Sequence, residues 1–119
     1  MKEQKLLSFL QTAILTYDII LLVTHDAPEI VSLLSNYPKG RFNKKVLLLL
    51  EDSVCGHPDG IDCIKLDEES CIALRQLYHT YEFSNKFRVL SAKNNFGTIW
   101  NYIKTGILSP EEAATAFLL

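Results

Sequence analysis

A chain of 119 residues is long enough for one domain with a real hydrophobic core. Apolar residues at 48% and charged residues at 22% exclude disorder over most of the length. A net charge of −2, from twelve basic and fourteen acidic side chains, excludes a basic field for nucleic acid.

The N-terminal stretch interleaves charges and Gln with its apolar residues, which is unlike a signal peptide. No apolar segment reaches the roughly 20 residues of a spanning helix. We therefore expect a single cytoplasmic domain over residues 1–119, with neither a membrane nor a nucleic-acid partner.

The first element is a helix. In "KLLSFLQTAILTY", Leu6, Leu7, Leu10, Ala13, Ile14 and Tyr17 recur at three- and four-residue steps and form one apolar stripe. "DIILLVT", residues 18–24, is a continuous apolar run, the pattern of a strand buried on both faces. Helical spacing returns in "APEIVSLLSNY" through Ile30, Val31, Leu33 and Leu34. Asp26 is placed to cap that helix, and Pro28 falls in its first turn, where a missing N–H is harmless. "YPKGRFNK" breaks the helix with Pro38 and Gly40.

"KVLLLLED", residues 45–52, reads as a second doubly buried strand, and "SVCGHPDG" as a loop. "IDCIKLD", residues 61–67, is a third strand with the partial alternation of a position nearer an edge. The short second-to-third connection leaves its direction open between parallel and antiparallel. In "EESCIALRQLYHTYEF", Cys71, Leu74, Leu77, Tyr78 and Tyr81 share a helical face, with His79 toward solvent or packed at its edge. "KFRVLSA" is a fourth strand, and "NNFGTIWNYIKTG" a helix opening at Asn94 or Asn95, with Phe96, Ile99, Trp100 and Ile103 inward. "SPEEAATAFLL" predicts a last helix, because Ser109, Pro110 and Glu112 make a capping box.

Strands alternating with helices indicate an α/β fold. The expectation is a three-layer Rossmann-like or flavodoxin-like domain. Its four-stranded, mostly parallel sheet has proposed order 3-2-1-4, with helices on both faces.

Ligands of such sheets bind beyond the carboxyl ends of the strands, at the switch point of strand order. With order 3-2-1-4 that point lies between the first and fourth strands. The candidate ligand-binding residues are then Thr24, His25, Asp26, Asp52, Ser91, Lys93, Asn94 and Asn95, with Glu51 beside them. His25 is the candidate catalytic residue, its ring oriented by Glu51 or Asp52 from the neighbouring strand end. The competing bland readings are a polar residue at a strand-to-helix turn for His25 and ordinary helix caps for Asp26, Asn94 and Asn95. Gly-rich phosphate cradles and a Ser-centred nucleophile elbow are absent from the sequence, which disfavours standard dinucleotide and P-loop binding.

Cys55, Cys63 and Cys71 are odd in number and spaced at eight, which fits three reduced thiols, Cys63 buried in a strand and Cys71 on a helix. Cys55 and His57 are metal-compatible, but the tight pairs that zinc prefers are missing, and neither metal nor cofactor is expected.

"VTHD" followed by "KKVLLLLED" resembles the phosphoryl-accepting domains of mannose-type sugar phosphotransferase systems. Those carry a histidine after the first strand and an aspartate after a later one. The resemblance covers only these two stretches, and the chain between them is much shorter here. It implies a phosphohistidine relay with His25 as acceptor.

Three functions follow. The first is a non-catalytic protein-interaction or regulatory module, self-associating or docking a partner through the terminal helices. Its candidate contacts are Leu6, Leu10 and Ile14 at one end and Phe117, Leu118 and Leu119 at the other. The second is a binder of, or enzyme acting on, a phosphorylated or otherwise anionic small molecule at the strand-end cleft, with Lys93 supplying charge. The third is the phosphohistidine relay.

Overall fold

The computed structural model describes residues 2–25, 28–35, 45–52, 54, 61–80, 87–91, 101 and 115–118. The elements run α1 (Lys2–Ala13), β1 (Ile19–Val23), α2 (Pro28–Ser35), β2 (Val46–Glu51), β3 (Asp62–Leu66), α3 (Glu68–Tyr78), β4 (Arg88–Ser91) and β5 (Thr115–Leu118). Pro28 opens α2, a position where its fixed φ is already helical. Asp67 caps α3, its Oδ1 accepting the Ser70 N–H at 2.8 Å. Glu68 and Glu69 in the first turn and Arg75 in the last complement the helix dipole. No helix among the described residues is long and apolar enough to cross a membrane.

β1, β2 and β3 form a parallel sheet with helices packed on it, so the chain is of the α/β class. The direction of β3, left open by the sequence, is parallel: Leu47 lies opposite Asp62 and Glu51 opposite Leu66. The described sheet has five strands in the order β3-β2-β1-β5-β4. This corrects the expected four strands in order 3-2-1-4. "TAFL", expected inside a last helix, is strand β5 and stands between β1 and β4, parallel to both. A capping box marks where a helix can start, not how far it runs, and pairing with two neighbours decides for the strand.

The alternation of β1 and β2 splits the core in two. Ile19, Leu21 and Val23 of β1, with Val46, Leu48 and Leu50 of β2, face Ile30, Val31 and Leu34 of α2. Ile20, Leu22, Leu47 and Leu49 face the other layer, where Leu10 and Ala13 of α1 meet Cys71, Leu74 and Leu77 of α3 and Phe87. This is why both strands read as unbroken apolar runs: neither face is wet. The α1 stripe packs as its spacing predicts, with Leu6, Leu7, Ile14 and Tyr17 lying against the second core.

β3 is the outermost strand of the described sheet, and its side chains are mostly exposed or half-buried. Cys63 is accordingly half-buried rather than buried, donating its S–H to the Ile61 carbonyl at 3.5 Å.

The opposite, amino-terminal rim of the sheet is held by polar ties. Asp18 Oδ2 accepts the Lys45 N–H at 2.9 Å, and the Lys45 carbonyl accepts the Asp18 N–H at 2.8 Å. Tyr17 donates its hydroxyl to Asp62 Oδ2 at 2.5 Å, tying the end of the first helical segment to β3. That hydrogen bond, then burial and the Asp62 charge, push the tyrosine's pKa up. The parallel pairings keep the strands in register, so their other ends emerge level.

Candidate functional site

The carboxyl ends of all five described strands lie at one rim, because every pairing is parallel. The apolar run of β1 stops there at Thr24, which is fully buried, and the next residue, His25, is exposed. Val23 pairs with Leu50, so Glu51 lies one residue further along β2, level with the end of β1. Glu51 shares the strand face of Leu47 and Leu49, and its backbone carbonyl accepts the Val54 N–H at 2.9 Å. Buried Val54 anchors that turn and ends the strand.

One carboxylate oxygen, Glu51 Oε2, accepts the His25 backbone N–H at 3.3 Å and lies 3.2 Å from ring Nδ1. The Glu51 side chain is 14% exposed and that of His25 58%, so the carboxylate is the sheltered member and the imidazole the one that meets solvent. A carboxylate behind a histidine steadies the ring and compensates the charge when it takes a proton. Of the two residues expected to orient His25, Glu51 makes this contact. Asp52 is exposed beside it.

Ser91 ends β4 level with Leu118 and Leu22, so it belongs to the same rim. β5 separates it from β1, which places their backbones two strand spacings apart, roughly 10 Å. The expected crevice between neighbouring first and fourth strands is therefore corrected: β5 occupies that place. Asp26, Lys93, Asn94 and Asn95 lie outside the described residues, as do Cys55, His57, Tyr81, Phe96, Ile99, Trp100, Ile103 and Leu119. Of the segment expected to be the helix after β4, Asn101 is described and is helical. His79 is exposed and caps the end of α3, its ring edge-on to Tyr78 at 5.0 Å.

The residues named for a terminal-helix contact are placed elsewhere. Leu10 is buried, Leu6 and Ile14 pack on the core, and Phe117 and Leu118 belong to β5. The exposed large apolar side chains among the described residues are Leu15, Ile64 and Ile72.

Sequence reasoning missed Asp67, a helix cap whose signal was readable: an acidic residue just before α3 with Ser70 three positions on. Burial and then the nearby Glu51 charge raise the Cys71 thiol to about 11, with smaller contributions from other neighbours. Cys63 is raised by burial and then by Asp62. Both thiols are thus protonated near neutral pH, the wrong state for a nucleophile. Among the described residues no three His, Cys, Asp or Glu side chains gather as a metal site. Comparison of the chain with known protein families, curated proteins and solved structures finds no match.

Proposed function

We propose that this chain is a cytoplasmic, Rossmann-like small-molecule-binding domain whose ligand sits on the carboxyl rim of the sheet against His25. The observation that carries the reading is the double contact of His25, through its backbone N–H and its ring Nδ1, with Glu51 at the end of the neighbouring strand. An imidazole used only as turn filler has no need of a sheltered carboxylate, whereas one that exchanges protons or hydrogen bonds with a ligand gains from it. The rim of a parallel sheet is also where such ligands bind in general. The described part of it presents His25 with the carboxylates of Glu51 and Asp52. These favour a ligand bearing hydroxyl or amine donors; an anionic group would need Lys93, Asn94 and Asn95.

The test is a thermal-shift screen of polyols, amines, sugar phosphates and nucleotides, since a ligand of the folded state raises Tm. The proposal expects at least one hit that is lost in both His25→Ala and Glu51→Ala. Hits that survive both substitutions would remove the site from this rim.

A second reading, a protein-interaction module, is supported by Leu15, which is 85% exposed just beyond α1. Its discriminator is sedimentation at micromolar concentration, where self-association that Leu15→Ser abolishes would favour it.

A further inference from the structure

We draw no further inference here: the strongest candidate, the outer edge of β3 with the exposed side chains of Ile64 and Lys65, carries nothing because nothing among the described residues shows what covers it.

Discussion

The contact between His25 and Glu51 can be weighed by a double-mutant cycle, and the structure sets the size of each leg. Glu51→Ala removes both hydrogen bonds, while His25→Ala removes only the ring contact, because the backbone N–H remains. The distances of 3.2 and 3.3 Å lie at the long end of the range for N–H to oxygen, which lowers their strength. The imidazole is 58% exposed, so solvent screens the pair and the figure for a buried charge does not apply. The carboxylate is 14% exposed, which keeps the contact above the level of a fully wet surface pair.

Glu51→Ala should then cost about 1–2 kcal/mol, the loss of two modest charge-assisted hydrogen bonds. His25→Ala should cost about 0.5–1 kcal/mol. The coupling between them should be about 0.5–1 kcal/mol, just above the ~0.3–0.5 kcal/mol within which distant sites add. Urea denaturation of the four proteins, read by circular dichroism and analysed with a shared m-value, measures all three quantities. Single substitutions that add, with no coupling, would mean that the ring and carboxylate do not interact in solution, and the site would lose its basis.

Other consequences of the packing are as definite. Leu48→Ala, at a fully buried position on the α2 face of β2, should cost about 3 kcal/mol and lower Tm by about 10 °C, whereas Leu15→Ala, 85% exposed, should stay within about 0.5 kcal/mol. Equal effects in a melting experiment would refute the core assignment. Asp67→Ala should destabilise by about 1 kcal/mol through loss of the α3 cap, and Asp67→Asn should restore most of it; an unchanged Asp67→Ala would show the Ser70 hydrogen bond to be idle. The Cys71 thiol should resist alkylation at pH 8 in the folded chain. An unfolded thiol ionises around 9.0 and the folded one near 11, so unfolding releases a proton between these values. Stability associated with Cys71 is then complete below the first value and lost as pH rises through the second. Cys71→Ala should remove that part of the alkaline slope in denaturation curves taken at a series of pH values; an identical slope would contradict it.

Much of this architecture is written in local pattern. β1 and β2 carry apolar residues on both faces, which only a sheet covered on both sides tolerates, and α1 and α2 carry stripes that match those faces. The partnership of His25 with a carboxylate on the next strand follows from parallel pairing alone, since equal directions bring the two strand ends together. What local pattern misses is whatever pairing decides. The segment Thr115–Leu118 has a helix-start signal shortly before it and only four residues of its own, and it becomes a strand because edges of β1 and β4 accept it. Neither edge is visible from residues 109–119. The same insertion parts Ser91 from His25, so the candidate site gathers on the β1–β2 side of the rim. The sequence leaves the direction of β3 open for a similar reason: its alternation tells which side chains are covered, not which way the chain runs.

The claim on which everything else depends is that β1 and β2 run in the same direction, and cross-strand proton contacts measured by NMR test it most directly. Parallel pairing predicts Ile19 beside Val46 and Val23 beside Leu50, with His25 reaching Glu51. Contacts joining Val23 to Val46 and Ile19 to Leu50 would mean opposite directions, and His25 and Glu51 would then lie at opposite ends of the sheet.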